Sequence, residues 1–239
     1  KAFWIGSVCG IIPDLDMLVI PFLETTQGLF VHRGISHSLF LFIIISPLLA
    51  LLCKKVFSSI QISLAVWTHF VFWILLSHSL LDIFTVYGTG ILEPFVHKRY
   101  ALSSIAVVDV FFTIPLLLAV LIALRVNQYR HKSIVTWFGL FISVLYVSFT
   151  FINKLYIQSE FEKKLLQKEI RFSHTEIFPV IGSNFLWSCI AQDRDGFWTC
   201  YETNFSKHNF EFELFMRNDY IAFDIEDESE FNAIKEFTK

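Results

Sequence analysis

Histidine and aspartate side chains stand in three short clusters of a chain that is otherwise rich in apolar residues. The clusters are PDLD at 13–16, HRGISHS at 32–38 and HSLLD at 78–82. Their imidazole and carboxylate groups are the ligand types that zinc, manganese and iron take in proteins. The six candidate metal ligands are Asp14, Asp16, His32, His37, His78 and Asp82.

The spacing within the clusters indicates how these side chains can share an ion. His78 and Asp82 are four residues apart, which places them on one face of a helix. Gly34 lets a loop turn tightly and Ser36 can cap the helix that follows, so the histidines on either side of them are presented together. Six ligands also suit a two-metal site, in which one ion activates water and both hold the scissile group.

Simpler interpretations compete with a metal site for each cluster alone. PDLD is typical of a turn with a helix cap, and one histidine–aspartate pair on a helix is typical of a structural hydrogen bond. If the chain brings the clusters together, we expect a divalent metal ion as cofactor, with zinc favoured and manganese or iron as alternatives. The expected catalytic residues are Asp14, Asp16 and Arg33, and whichever of the two carboxylates is not engaged by metal would be the general base.

The elements that carry these clusters are predicted to be membrane helices. Hydrophobic residues make up 54% of the 239 residues, charged residues only 17%, and the mean hydropathy is +0.56. A membrane span needs about 20 mostly apolar residues. Four stretches meet or approach this length: 38–53, 62–84, 105–125 and 134–152. A fifth, 2–23, is interrupted at PDLD, and we expect the end of a helix, a turn and a short interfacial piece there.

The acidic residues divide the chain into two parts. Only six of the 22 acidic residues precede residue 153. We therefore predict a transmembrane helical domain with the metal site over 1–152 and a small extramembrane domain over 153–239.

Following the chain through these helices brings the three clusters to one membrane face. The first of the four stretches leaves from the His37 end, and the second returns near Asp82. Segments 14–37, 78–104 and everything after 152 therefore share a face. Five basic residues lie in the short loops of the opposite face and three in those of the site face. The positive-inside rule then places the site face in the periplasm of a multi-pass inner-membrane protein.

The charged tail combines a helix with a hairpin. Residues 153–170 have the pattern of an amphipathic helix that lies on or leaves the membrane. The runs FLWSCIA and FWTCYET flank QDRDG, which predicts a β-hairpin with Cys189 opposite Cys200. In an oxidising compartment a disulfide can join the two, and otherwise they are ordinary buried thiols. The predicted fold is mainly α: a multi-pass transmembrane helical bundle with a small C-terminal α+β domain that contains the hairpin.

Other charged residues near the clusters have two interpretations each. His69 stands nine residues before His78, on the opposite side of its helix, and is predicted to pack or to hydrogen-bond between helices. Asp109 is predicted to be either an outer partner of the site or a structural partner. Arg33 and the run at 97–99 can bind an anionic substrate or a lipid headgroup, or simply extend to the membrane interface.

The motifs GIIPDLD, HRGISHS, SHSLLDIFTVYGTG, EPF with KRYALSSI, VVDVFFTIPLLL, NKLY and DGFW run along most of the chain. In this combination the sequence resembles the YdjM-like inner-membrane metal-dependent hydrolases of bacteria. The resemblance implies a metal site at the six residues named above. It also implies supporting roles for Arg33, Arg99 and Asp109.

We therefore expect a metal-dependent hydrolase that acts at the membrane interface, with membrane lipids as partners and a lipid-like or phosphoester substrate. No nucleic-acid partner is expected, and the oligomeric state stays open. An ion- or proton-coupled transporter would use the same cluster, but it predicts charges near the bilayer midplane and broken helices in paired positions. A non-catalytic scaffold would bind a partner through the acidic stretch Asp224–Glu230, which is otherwise a solvated surface. Because the chain opens with Lys1, we expect the natural protein to begin upstream.

Overall fold

The computed structural model describes residues 2–23, 28, 31–180, 182, 184–193, 196–203 and 211–216. These form two compact units, one from the described residues up to Ala101 and one from those beginning at Leu102. The acidic stretch Asp224–Glu230 and the hairpin residues Arg194 and Asp195 lie outside the described residues.

The first unit opens with a helix that bends at a proline. Helix α1 spans Ala2–Ile11, and the chain continues as two short 3-10 helices, Pro13–Leu18 and Ile20–Phe22. The axis turns by 44° at this break. Proline has no N–H to continue a helix, and its fixed φ suits the first position of a new one. The predicted end of a helix and the break at PDLD are confirmed, and the interfacial position of the last piece stays a prediction.

Two long apolar helices complete the first unit. Helix α2 spans Leu39–Val56 and helix α3 spans Leu64–Ile83. The hydroxyl oxygens of Ser38 and Ser63 accept backbone N–H groups of the first turns of α2 and α3, respectively. These caps satisfy donors that a helix start otherwise leaves unpaired. The helices predicted over 38–53 and 62–84 are confirmed to within three residues.

The apolar side chains of this unit are divided between a small core and an extensive outer surface. Ile43, Leu48 and Trp73 are each about 60% exposed. Such large exposed apolar areas are expected of surfaces that face lipid. The core is formed by Ile5, Cys9, Phe42, Ala50, Trp67, Val71 and Leu75.

The second unit begins with a helix that is shorter than predicted. Helix α4 spans Val110–Arg125, and the Asp109 carboxylate caps it by accepting the N–H of Phe112. The helix expected from residue 105 therefore starts five residues later, where an aspartate cap is available. Its 16 residues rise about 24 Å, which is less than the roughly 30 Å of a bilayer core.

Helix α5 is longer than predicted and joins two segments that the sequence pattern separates. It spans Tyr129–Gln167 and has 39 residues, or about 58 Å of helix. The helix expected over 153–170 is present as far as Gln167, but it is continuous with the apolar helix before it. Its placement on or outside the membrane stays a prediction. No glycine or proline follows Gly139 within the helix, so nothing in the sequence interrupts it. The assignment of separate roles to 1–152 and 153–239 stays a prediction.

Among the described residues, three helices are long and apolar enough to cross a membrane. They are α2, α3 and α5, and α1 with its bent continuation makes a fourth if the pair is one span. The predicted multi-pass helical architecture is therefore confirmed at this level.

A four-stranded antiparallel sheet packs against the end of α5. The strands are β1 (His174–Pro179), β2 (Leu186–Gln192), β3 (Gly196–Thr203) and β4 (Glu213–Met216), paired in sequence order. The predicted hairpin is β2 with β3, and the sheet extends it by a strand on each side. The core between helix and sheet is formed by Ile157, Phe161, Leu165, Ile177, Trp187, Cys189, Ala191 and Cys200.

The predicted register of the hairpin is confirmed at its two cysteines. Cys189 pairs directly with Cys200 across β2 and β3, and both are buried free thiols. The hydrogen bond with Cys200 and the burial of the site raise the pKa of the Cys189 thiol above its usual range. The disulfide stays a prediction.

Candidate metal centre

A proline-initiated turn positions the first carboxylates. Pro13 is buried and occupies the start of the 3-10 helix that carries Asp14 and Asp16. A 3-10 helix has three residues per turn, so side chains two residues apart point about 120° away from each other. The two aspartates therefore have different surroundings, although the sequence places them side by side.

The second cluster lies in a tight loop directly before α2. Residues Ile35–His37 form one 3-10 turn, and Ser38 caps the helix that follows. The prediction that Ser36 caps α2 is wrong, because Ser38 does so. The left-handed backbone conformation in this loop falls on Arg33, with φ of 58°, rather than on Gly34. His37 is completely buried.

The third cluster lies on the last turns of α3. His78 Nε2 is 3.3 Å from Asp82 Oδ2, so the predicted pair on one helical face is confirmed. His69, nine residues earlier on α3, lies outside this cluster. Its exposed ring bonds the carbonyl of Ala65 in its own helix, so the packing or inter-helix bond expected of it is wrong.

Four ligand atoms from these segments converge within 4.8 Å of one another. They belong to Asp14, His37, His78 and Asp82. His37 Nε2 lies 3.3 Å from both Asp14 Oδ1 and Asp82 Oδ2. His78 Nε2 lies 3.5 Å from Asp14 Oδ1. The convergence predicted from the path of the chain is confirmed for these four residues.

The spacing and the missing hydrogen bonds of these atoms fit a metal ion. An ion that holds N and O ligands tetrahedrally at about 2.0–2.2 Å separates them by about 3.3–3.6 Å. His37 Nε2, His78 Nε2 and Asp82 Oδ2 are buried and have no hydrogen-bond partner in the described part of the chain. Orphaned buried polar atoms are costly and require an explanation. A cation that accepts all three lone pairs supplies one.

The outer oxygen of Asp82 is held by an arginine. Arg33 Nη2 lies 3.3 Å from Asp82 Oδ1, and its Nη1 donates to Thr85 Oγ1 at 2.5 Å. The Arg33 and Asp82 side chains are only 7% and 14% exposed, so this ion pair is shielded from water. A carboxylate fixed on one oxygen presents the other in a defined direction, as ligands of metal ions commonly do.

Asp16 and His32 lie beside the four-residue group and outside it. His32 Nδ1 donates to Asp16 Oδ1 at 2.9 Å. Asp16 Oδ2 accepts the Ser36 hydroxyl and the backbone N–H of Arg33. The structure thus brings all six predicted ligands to one end of the first unit, but it divides them into a group of four and a pair.

A second arginine borders the site from the loop after α3. The Arg99 guanidinium donates to the backbone carbonyl of His32 at 2.9 Å. Burial lowers the pKa of Arg99, and the nearby positive charge of Arg33 also lowers it, whereas Glu93 and Asp16 oppose the shift.

Other residues named from the sequence have partners outside the group of four. His97 bonds the Glu93 carboxylate at 2.9 Å, and Lys98 lies over the ring of Tyr100. In the second unit, Asp109 caps α4 and accepts the hydroxyl of Tyr146 at 2.9 Å. Asp109 is thus a structural partner in its own unit.

Sequence reasoning missed Thr85, and it missed the role of Ser36. Thr85 stands three residues after Asp82, where the end of a helix brings a side chain back toward the preceding turn. Its position was available as a signal, but its partner Arg33 is 52 residues away. Ser36 stands just before α2, a position that suits a helix cap, but its hydroxyl contacts the ring of His37 instead.

The fold and the cluster define a multi-pass α-helical membrane protein with a partly buried histidine–aspartate site at one end of its first unit. A model of the YdjM inner membrane protein family matches residues 1–157, which is more than half of the chain. The chain belongs to this family, and it is an inner-membrane protein. Neither a curated protein nor a solved structure matches it.

Proposed function

We propose that the chain is a membrane-embedded, metal-dependent hydrolase. The observation that carries the proposal is the convergence of four ligand atoms, three of them buried and without a hydrogen-bond partner among the residues that the structure describes. Asp14, His37, His78 and Asp82 would hold the ion. Two nitrogen and two oxygen ligands suit zinc best, and manganese or iron also accept this set. A divalent ion bound there would act as a Lewis acid. It would lower the pKa of its bound water to about 7 and polarise the scissile group.

The chain's own residues would orient the reactants and accept protons. Arg33 holds the Asp82 carboxylate in place through its outer oxygen. Of the two carboxylates expected as general base, Asp16 already accepts hydrogen bonds on both oxygens. Asp14 is the most exposed of the four proposed ligands, at 39% of its side chain. Both histidine Nε2 atoms face Asp14 through its Oδ1, so the base would be its other oxygen, Oδ2, on a carboxylate that also holds the ion and not, as expected, on one free of metal.

Charge near the site supports an anionic substrate. Arg33 is 94% buried, and its Nε has no hydrogen-bond partner in the described residues. Arg99 adds a second guanidinium group on the neighbouring loop. Planar guanidinium groups bind phosphate and carboxylate oxygens well. We therefore favour a phosphoester over a neutral ester or amide.

An apolar groove beside the site supports a lipid-like substrate. The groove is open on one side and offers about 160 Å³ between the start of α2 and the loop after α3. Its two sides are joined by a hydrogen bond from the Leu39 N–H to the Ile91 carbonyl, two residues after His37. An acyl or isoprenyl chain in this groove would bring a headgroup to the site. The groove is lined by Leu39, Phe40, Ile43, Ile91, Leu92, Glu93 and Phe95.

We place the site on the periplasmic face. Lys54 and Lys55 lie in the last turn of α2, at the end opposite His37. Basic residues prefer the cytoplasmic ends of membrane helices. A cysteine introduced at exposed Ser58, in the loop after Lys55, should resist a membrane-impermeant maleimide in intact spheroplasts. Rapid labelling of this cysteine would show that the loop faces the periplasm and the site the cytoplasm.

One observation favours a second candidate function, a transporter. The bent pair formed by α1 and its continuation is the kind of broken span that lines ion pathways. No second broken span lies among the residues that the structure describes. A metal-dependent flux into liposomes without hydrolysis of any substrate would favour this function.

The first test of the hydrolase is the metal content of the full chain in detergent. We expect one or two equivalents of zinc, manganese or iron by mass spectrometry, and loss of the metal in His37→Ala and Asp82→Ala. The metal-loaded protein should then hydrolyse members of a panel of phosphoesters, esters and amides. Metal-free protein after exposure to all three ions, or an inert metal-loaded protein, would refute the proposal.

A further inference from the structure

A chain of hydrogen bonds lies behind His37, on the side away from the proposed ion. His37 Nδ1 is 2.9 Å from Ser36 Oγ, and the Ser36 hydroxyl donates in turn to Asp16 Oδ2. The other oxygen of Asp16 accepts His32 Nδ1 at 2.9 Å. The Asp16 side chain is 8% exposed and that of His37 is not exposed at all. All of these contacts belong to the first unit.

The positions of the protons follow from the donors and acceptors. An ionised carboxylate has no hydrogen to donate, so the bond between Ser36 and Asp16 uses the hydroxyl proton of the serine. Ser36 Oγ then has only lone pairs to offer to His37, and His37 Nδ1 must be the donor. A neutral imidazole that carries its proton on Nδ1 has its lone pair on Nε2. Nε2 is the atom that faces Asp14 and Asp82.

We infer that Asp16 is a positioning residue that acts on the metal centre through Ser36 and His37, and not a metal ligand. The inference rests on the metal centre proposed above, but not on the hydrolytic reaction. Both oxygens of Asp16 are engaged: Oδ1 by His32, and Oδ2 by Ser36 and the Arg33 N–H. Asp16 also lies outside the group of four converging ligands.

The chain of hydrogen bonds has two effects on the metal affinity. It fixes the tautomer and the ring orientation of His37 before the ion binds, so ion binding does not carry the free-energy cost of ordering them. It also directs negative charge toward the imidazole, which makes Nε2 a better electron donor. Outer partners of metal-ligating histidines typically change metal affinity by about 10–100-fold. We expect an effect of this size here, well short of the loss caused by removing a ligand.

The test measures the zinc affinity of the full-length protein in detergent, by competition with a chromogenic chelator. The variants are Ser36→Ala, Asp16→Asn and their combination, with Ser36→Thr as the variant that keeps a hydroxyl. Ser46→Ala is the control, because it removes the same hydroxyl from the first unit at a position that is buried, whereas Ser36 is half-buried, and that bonds only a carbonyl of its own helix. His37→Ala sets the value for loss of a ligand.

We expect Ser36→Ala to weaken zinc binding by about 10–100-fold, and Ser36→Thr to restore most of the affinity. Asp16→Asn should have an effect of similar size. The double variant should bind zinc no more weakly than whichever single variant has the lower zinc affinity. Effects that fail to multiply are expected when two residues act through one chain of contacts. Ser46→Ala should bind zinc like the wild type.

Two outcomes would overturn the inference. Wild-type zinc affinity in a folded Ser36→Ala variant would show that the chain of hydrogen bonds does not act on the ion. Asp16 would instead be a ligand if Asp16→Asn lost zinc as completely as His37→Ala and if its effect on the affinity multiplied that of Ser36→Ala in the double variant. An inert wild-type protein that still binds zinc would refute the hydrolase alone and leave this result unaffected.

Discussion

Replacing His78 with alanine should abolish the stabilisation of this protein by metal. His78 supplies one of the four converging nitrogen and oxygen atoms, and its neighbours in the group come from other segments or another turn of α3. His69→Ala is the matched control, because the same side chain is removed from an exposed position on the same helix. Asp14, His37 and Asp82 stay in place in both variants.

The size of the effect follows from how the ion links the chain. The proposed ligands come from the 3-10 helix after Pro13, the loop before α2 and the end of α3, so binding requires these segments to be folded together. At free zinc a hundredfold above Kd, the free energy of unfolding rises by about 2.7 kcal/mol. In a chain of this size, that corresponds to an increase in Tm of about 5–10 °C. If His78→Ala weakens binding a hundredfold, only about 0.4 kcal/mol, or about 1 °C, remains at the same zinc concentration.

The assay is thermal unfolding of the detergent-solubilised full chain, followed by tryptophan fluorescence with chelator or with zinc. Trp67 lies in the core of the first unit and reports on its packing. Wild type and His69→Ala should show the full zinc-induced shift, and His78→Ala should show almost none. Equal shifts in wild type and His78→Ala would refute the assignment of His78 as a ligand.

Three further substitutions test the surroundings of the site and the second unit. Arg33→Gln leaves the shielded Asp82 carboxylate without its cationic partner, and should cost about 3–5 kcal/mol of unfolding free energy, measured by equilibrium denaturation; an unchanged stability would mean that the ion pair does not form. Asp109→Ala removes the cap of α4 and should cost about 1–2 kcal/mol, with faster hydrogen exchange in the first turn of that helix; exchange as slow as in the wild type would contradict the cap. In Gly139→Ala, the added methyl carbon would lie 2.4 Å from the Cβ of Ala119, so the variant should lose about 1–3 kcal/mol, and a second change, Ala119→Gly, should restore its Tm. Failure of the second change to restore it would argue against this contact between α4 and α5.

The convergence of the site was predictable because its strongest signals are periodic or topological. The spacing of His78 and Asp82 places them on one helical face whatever the surrounding structure. The apolar lengths of α2 and α3 then return the chain to the end where His37 stands. Neither step depends on detailed packing, so both could be inferred from one sequence.

The division of the six residues into a group of four and a pair was not predictable. It depends on the divergence of Asp14 and Asp16 in a 3-10 helix, whose three-residue turn is not apparent from the letters PDLD. It also depends on which serine caps α2. Ser36 and Ser38 are both suitable capping residues, and the backbone after His37 decides in favour of Ser38.

The predicted boundaries of α4 and α5 differ from the observed ones for similar local reasons. The apolar pattern over 105–125 hides the capping role of Asp109, which delays the helix to residue 110. For α5, the change from apolar to charged residues near 152 marks the predicted end of the apolar span, and the sequence pattern does not show that one helix continues through it. Composition changes where a helix leaves the membrane, but the helix ends only where its backbone is interrupted.

The uninterrupted length of α5 fixes both the height and the azimuth of the sheet relative to α4. Between Gly139, which packs against α4, and Ile157, which packs in the core formed with the sheet, every residue advances the helix by 1.5 Å and rotates it by about 100°. One inserted residue would therefore turn the sheet to a different side relative to α4. Seven would raise it by about 10 Å and return it to within about 20° of its original direction. We expect length changes in this stretch to be tolerated as near-integral numbers of helical turns, because only these preserve the direction in which the sheet faces.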